Sequence, residues 1–242
     1  MLLGYPQAAL ADTNQALNDA RQIDHAGTLA FALFVTTNTY FSCGDYVTAK
    51  ALADQLFALA DEKEMILLKT FGRLGQGCAA ALTGKWADVT EMITFGLKGW
   101  RSAGATLLAP MWLSLLASAR AELGQVDDAW HCLEEALTEI ETRKERWCES
   151  EVNRVAGAIA LKSLEPEVAK AESYFEHALS VARQQQAKSW ELRAAMSMAR
   201  LWRDQGKRDE ARNLLAPVYN WFTEGFDTLD LKEAKALLEQ LS

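Results

Sequence analysis

Histidine, proline and cysteine are scarce in this chain, at three, four and four of 242 residues. Each shortage excludes something. The histidines, His25, His131 and His177, form no HExxH and no pair at i, i+4, so a metal site is not expected. His131 and Cys132 are adjacent and would point about 100° apart on a helix, too divergent to share an ion. The cysteines, Cys43, Cys78, Cys132 and Cys148, make no CxxC and read as reduced thiols of a cytoplasmic protein. No apolar run approaches the roughly 20 residues that span a bilayer. Residues Met1 to Leu10 lack a positive n-region and contain Pro6, which argues against a signal peptide. Basic excess is also lacking: 33 acidic residues face 25 basic ones, a net charge of −8. That excludes the basic footprint of a nucleic-acid-binding surface, and no polybasic run suggests a membrane partner.

No catalytic constellation stands out, so neither an enzyme nor a cofactor is expected. Gly72-Arg73-Leu74-Gly75-Gln76-Gly77 superficially resembles a phosphate loop but fits neither GxGxxG nor GxxxxGK[ST]. Its glycines read as close-packing positions inside a helix, each costing about 1 kcal/mol relative to alanine, which makes that helix a weak point. Glu134, Glu135, Glu139 and Glu141, with Arg143, Lys144, Glu145 and Arg146, read as a solvated helix end with local ion pairs. Trp86, Trp112, Trp130, Trp190 and Trp202 read as inter-helix packing.

What is abundant is alanine and leucine, in a chain that is 50% apolar. Both are strong helix formers, and with only Pro6, Pro110, Pro166 and Pro217 to interrupt them the expectation is all-α. A repeat is visible. Gly4, Gly44, Gly84 and Gly124 stand 40 residues apart, Pro166 follows 42 later, and Gly206 another 40 beyond. Five residues after each anchor come Ala9, Ala49, Val89, Ala129, Ala171 and Ala211. Twelve after come Ala16, Leu56, Gly96, Ala136, Ala178 and Val218, and thirteen after Leu17, Phe57, Leu97, Leu137, Leu179 and Tyr219. These offsets keep one side of a helix in phase. Each unit therefore reads as helix A, a tight turn whose glycine adopts the left-handed conformation, and helix B. Pro217 lies inside a helix B and should bend or break it.

Gly44-Asp45-Tyr46-Val47-Thr48-Ala49, Gly124-Gln125-Val126-Asp127-Asp128-Ala129 and Gly206-Lys207-Arg208-Asp209-Glu210-Ala211, with a weaker copy at Gly84-Lys85-Trp86-Ala87-Asp88-Val89, resemble the turn signature of the tetratricopeptide repeat. The unit is about 40 residues rather than 34 and lacks the usual proline after helix B, so less regular junctions are expected. The resemblance implies a right-handed α-α superhelix of about five and a half helix pairs. A partial unit covers about 1–22, pairs cover 26–62, 64–102, 105–144, 146–186 and 187–224, and a capping helix covers 229–241, all in one solenoid domain 1–242. The cap buries Leu231, Ala234, Leu237, Leu238 and Leu241 and turns a polar face outward. Because helix A of the first unit is missing, the chain reads as the C-terminal part of a longer ancestral protein whose upstream repeats covered the stripe on the first helix. Lys188-Ser189-Trp190-Glu191-Leu192-Arg193-Ala194-Ala195, Leu214 to Thr228 and Asp230 to Leu238 further resemble the C-terminal end of bacterial multidomain signalling proteins. Those carry an adenylate/guanylate cyclase or kinase domain, an AAA-type ATPase and tetratricopeptide repeats.

By that resemblance the A helices line a concave groove, at positions 13, 10, 6, 3 and 2 before the turn residue. These are Phe31, Phe34, Asn38, Phe41 and Ser42; then Phe71, Leu74, Cys78, Ala81 and Leu82; then Met111, Ser114, Ser118, Ala121 and Glu122. Asn153, Ala156, Ala160, Ser163 and Leu164 follow, and finally Arg193, Met196, Arg200, Arg203 and Asp204. One end is aromatic and the other holds three arginines, which suits a peptide or helix with apolar side chains at one end and an acidic group at the other. The expected partner-binding residues are Phe31, Phe34, Asn38, Phe41, Phe71, Leu74, Asn153, Arg193, Met196, Arg200 and Arg203. Alternatively Phe31 and Phe34 pack between helices, and Arg200 and Arg203 pair with Asp204 and Glu191. The expected function is a non-catalytic cytoplasmic scaffold that binds a protein or peptide, or a partner domain upstream of Met1. The alternative is a small-molecule sensor whose ligand changes superhelix curvature.

Overall fold

A computed structural model of the chain describes residues 1–81 and 84–242. Among the described residues there are twelve helices and no strand: α1 (Pro6–Gln22), α2 (Ala26–Cys43), α3 (Tyr46–Glu62), α4 (Ile66–Ala81), α5 (Trp86–Ser102), α6 (Ala109–Glu122), α7 (Val126–Arg143), α8 (Glu149–Ala160), α9 (Val168–Gln184), α10 (Lys188–Asp204), α11 (Arg208–Asn220) and α12 (Leu229–Gln240). Sequential helices pack as antiparallel pairs. The even-numbered helices also pack on one another from α2 to α12, making a continuous inner row behind which the odd-numbered helices lie. The fold is a tetratricopeptide-like α-α superhelix ending in a terminal helix. None of the described helices is long and apolar enough to cross a membrane.

The turn glycines do what their period implies. Gly44, Gly84, Gly124 and Gly206 have φ of 79°, 69°, 77° and 81°. After α2, α6 and α10, the next N–H reaches back to satisfy an orphan carbonyl: Asp45 to Tyr40, Gln125 to Arg120 and Lys207 to Trp202. The junctions between units share a left-handed residue but differ in length, from three residues at 23–25, 63–65 and 185–187 to eight at 221–228. Asp24, Glu64, Gly104, Lys144, Gln186 and Gly225 all have positive φ, spaced 40, 40, 40, 42 and 39 residues apart. Met65, Ala105 and Ala187 then donate to Ala60, Trp100 and Ala182. A left-handed residue at or just after the C-cap thus closes α1, α3, α5, α7 and α9, as a glycine closes most A helices; Gly225 lies five residues beyond α11.

The small residues five after each anchor are the contact points of the pairs. Ala49, Val89, Ala129, Ala171 and Ala211 are at most 1% exposed. In α4, a Cβ on Gly72 would stand 2.8 Å from the backbone of Phe57, and one on Gly77 2.8 Å from Ile93. These glycines bring α4 against α3 and α5. The cap packs as expected: Leu231, Ala234, Leu237 and Leu241 are buried and Leu238 is half-buried. Pro217 does not break α11, which passes through it and ends one turn later at Asn220. On α1, Leu17 and Ala20 are buried, while Ala8, Ala11 and Ala16 face outward, a stripe of alanines rather than large apolar groups. The acidic-basic segment is more than a solvated end. Arg101 on α5 reaches Glu135 and Glu139 on α7 at 2.5 and 3.3 Å, and Glu145 accepts hydrogen bonds from the Leu108 N–H at 2.7 Å and from Trp147 Nε1 at 2.8 Å. Leu108 has φ of 70°, so Glu145 holds a strained residue at the start of α6.

Candidate partner-binding groove

The aromatic end of the inner row is continuous. The Phe31 and Phe34 ring centroids are 6.0 Å apart on α2, Phe34 lies 3.9 Å from Phe71 on α4, and Phe71 lies 4.4 Å from Trp100 on α5. Burial increases along the row: Phe31 is 61% exposed, Phe34 half-buried, Phe71 7% and Trp100 4% exposed. Trp100 Nε1 donates to the Leu107 carbonyl at 2.8 Å, and the Leu107 side chain is exposed. Phe31 is therefore the accessible end of an aromatic row whose other members are already packed. Phe41 is half-buried against Tyr46, at 5.4 Å. The Asn38 amide is turned back on the Phe34 carbonyl at 2.8 Å.

Other groove positions lie in the core. Leu74, Met196 and Cys78 are 0%, 3% and 4% exposed. Asn153 is buried and donates to the Glu149 carbonyl. Ser114 and Ser118 donate to Met111 and Ser114 carbonyls within α6. Ser163 and Leu164 are not on a helix, because α8 stops at Ala160 and a loop runs to α9. Leu82 falls outside the described residues. Two open hollows, of about 490 and 350 Å³, lie against α11–α12 and across α9–α11, and neither is lined by these groove residues.

The three arginines are engaged with α12 rather than with Glu191, which instead pairs with Arg183 and Lys188. Arg200 meets Glu233 at 2.7 Å, and Arg203 meets Asp204 at 2.9 Å and Gln240 at 2.6 Å. Arg193 is the most enclosed. Its Nε contacts Asp230 at 2.6 Å, another nitrogen donates to the Ser42 carbonyl at 3.3 Å, and Glu151 lies 3.7 Å away. Its guanidinium also sits 5.0 Å from the Trp190 ring. Glu151 is buried and takes two hydrogen bonds of 2.8 Å from Arg154. Burial alone would raise the Glu151 carboxyl, but Arg154 and Arg193 outweigh it and hold it below the ordinary carboxylate range. A carboxyl with a lowered folded pKa stabilises the fold above its unfolded value and loses that contribution as pH falls through the folded value. Wild type should therefore lose stability steeply below about pH 4.5. Glu151→Gln, weaker at neutral pH, should have the shallower slope, so the two curves of urea midpoint against pH converge in acid. Parallel curves would refute this.

The arginine cluster exposes a feature that no repeat pattern announces: the superhelix closes on itself. Ser42 belongs to α2 and Asp230 to α12, so Arg193 ties the first complete unit to the last helix. Gly44 lies against Leu229, and Gly225 against Pro6, both too close for a Cβ. Tyr5 packs edge-on to Trp221 at 5.7 Å. Helix ends from the two extremities cap one another. Glu224 Oε1 accepts the Gln7 and Ala8 N–H groups at 3.0 and 3.2 Å, where Tyr5 offers α1 no side-chain cap. The Leu2 carbonyl accepts the Ser189 N–H at 3.1 Å, where Ala187 offers α10 none.

The cysteines are all buried and free. Burial pushes the Cys43 thiol up to about 11 and the Cys148 thiol up to about 12, far from the range of reactive thiolates. Among the described residues no cluster of three or more His, Cys, Asp or Glu could hold a metal.

No family model matches the chain, and no curated protein is similar enough in sequence to match it. Solved structures do share its shape. The apo form of RapI superposes with a TM-score of 0.66 at 10% identity, over 98% of this chain and 79% of that one. A Rap protein complexed with competence and sporulation factor gives 0.66 at 11% identity, over 96% and 69%. BtubC from P. vanneervenii gives 0.60 at 15% identity, over 97% and 92%. At these identities the likeness is one of fold.

Proposed function

We propose that this protein is a non-catalytic binding scaffold of a bacterial signalling system, taking a peptide or protein partner on its inner row of helices. The observation that carries the reading is the aromatic row on α2 and α4: Phe31 stays 61% exposed while Phe34 and Phe71 behind it are packed. An exposed aromatic backed by a rigid apolar wall is the arrangement of a binding anchor. A Rap protein of the same fold was crystallised with competence and sporulation factor, which supports a ligand-binding use of such a superhelix. The arginines contribute less than their charge suggests, because Arg193, Arg200 and Arg203 already have acidic or amide partners in the chain. Descent from a cyclase–ATPase type of signalling protein rests on the wording of residues 188–238 alone.

Displayed-peptide libraries selected on the full chain should return binders rich in apolar side chains. Phe31→Glu, at an exposed position, should leave the melting temperature nearly unchanged and weaken the best binder at least ~10-fold, as truncating a binding anchor does. Selection that returns no binder above background, or binders indifferent to Phe31→Glu, would end this reading.

A further inference from the structure

A second place on the inner side is already occupied, and the occupant shows what the place recognises. Met1 to Gly4 form a tight turn in which the Gly4 N–H donates to the Met1 carbonyl at 3.0 Å. The turn projects Leu2 against Trp190 and Ala187 at the head of α10 and Ala182 of α9, with Met111 of α6 and Trp147 completing the cluster. Its main chain is read twice by one residue: Ser189 N–H donates to the Leu2 carbonyl at 3.1 Å, and Ser189 Oγ donates to the Met1 carbonyl at 3.0 Å. Ser189 and Trp190 are 6% and 3% exposed. Gly4, with φ of 94°, sits where a Cβ would be 2.5 Å from the Trp221 ring and 2.9 Å from Lys188.

We infer that this cleft, lined by Ala182, Ala187 and Trp190 with Ser189 beside them, is a recognition site for a leucine carried on a β-turn of a peptide, and that residues 1–4 are its built-in competitor. The assignment rests on the groove reading and names its ligand and its control. A leucine side chain fits because the cluster it joins presents indole, thioether and methyl groups. A turn fits because two successive carbonyls must face one serine, one toward the N–H left free at the start of α10 and one toward the hydroxyl. The same turn is part of the closure between the two ends of the superhelix. A peptide that displaces it removes the Leu2 and Met1 contacts to α10, so occupancy and closure are coupled.

The test uses the full chain and a fluorescent synthetic peptide spanning residues 1–8. Wild type should bind it weakly, because the resident turn fills the cleft. Leu2→Asp evicts the resident turn, and Gly4→Val does so independently through its positive φ and its collision with Trp221. Each should tighten binding at least ~10-fold, the reciprocal of the small fraction of open cleft in wild type. Adding Ser189→Ala to Leu2→Asp should give back ~5-fold, the worth of one hydrogen bond. The peptide with aspartate in place of Leu2 should not bind. Equal affinity for wild type and both evicted variants, with native circular dichroism, overturns the assignment. So does a concentration-dependent wild-type dimer abolished by Leu2→Asp, which would give the cleft to a second copy of the chain. Library-selected peptides that bind through Phe31 while the residue 1–8 peptide binds none of the variants would sink this proposal and leave the groove reading standing.

Discussion

Arg193→Met should cost the fold about 3 kcal/mol, the loss expected when one member of a buried charge cluster is removed. The arginine answers three demands at once: the Asp230 carboxylate, the Ser42 carbonyl and the nearby Glu151. Its side chain is 20% exposed and those of Asp230 and Glu151 are 19% and 7%, so water reaches the cluster only at its edge. Burial opposes its charge, yet Asp230 and Glu151 hold the guanidinium above its ordinary pKa. Methionine preserves the apolar stem over Trp190 but leaves two carboxylates without their shared cation. Arg193→Lys keeps the charge and loses the fork that divides between acceptors, so it should recover only part of the stability. Adding Asp230→Asn to Arg193→Met should also recover part, because it removes the charge left without a cation, Glu151 keeping Arg154. Urea unfolding followed at two probes, one tryptophan fluorescence and one helicity, measures all three. A loss below about 1 kcal/mol would show the cluster to behave like an exposed pair. Because the residue joins α2 to α12, its loss should also separate the two probes: the ends would open before the central units, as stacked repeats do when their couplings are unequal.

Much of the fold was legible because its signal is local and repeated. Six anchors near a 40-residue period, with a small residue five positions on, define a helix pair without reference to anything distant. The junctions between units were harder to read for a physical reason. Asp24, Glu64, Lys144 and Gln186 adopt the same left-handed conformation as the glycines, but their side chains give no sign of it. The register of α10 against α12 was present in the sequence and unread. Arg193, Arg200 and Arg203 face Asp230, Glu233 and Gln240 in the same order, as parallel neighbouring helices require. The closure had no periodic signal. Met1 and Ser189 meet across 188 residues, and Gln7 and Glu224 across 217, each through a side chain on one side and, on the other, a main-chain group that any residue carries. Groove positions such as Leu74 and Met196 follow the family's spacing but lie in the core; Leu74 fits there because Gly96 on α5 faces it, where a Cβ would stand 2.5 Å away.

Those glycines set up a contest between two effects of opposite sign, and Gly72→Ala decides it. Helix propensity favours alanine in a helix interior by about 1 kcal/mol. Packing opposes it. The new Cβ would stand 2.8 Å from the Cα, Cβ and N of Phe57, and a backbone inside α3 has no rotamer with which to withdraw. Relief requires α3 and α4 to part, which loosens Ala53 and Leu56 as well, both buried on the same helix. Overpacking of this kind costs about 1–3 kcal/mol. The rigid neighbour places Gly72 at the upper end, so the net change should be a loss of about 2 kcal/mol once the propensity gain is subtracted. Gly27→Ala supplies the control. It sits in the first turn of α2, where a Cβ meets only the His25 ring, at 3.1 and 3.6 Å. That ring is exposed but caps α2 by accepting the Thr28 N–H at 3.2 Å, so moving it takes back part of the propensity gain and the melting temperature should hold. If Gly72→Ala proved neutral or stabilising, α4 would be a loosely held helix and its glycines a defect of the stack. A loss alongside a neutral Gly27→Ala would make them the contact that sets the spacing of α3 and α4, and hence the depth at which Phe71 backs Phe34 on the aromatic row.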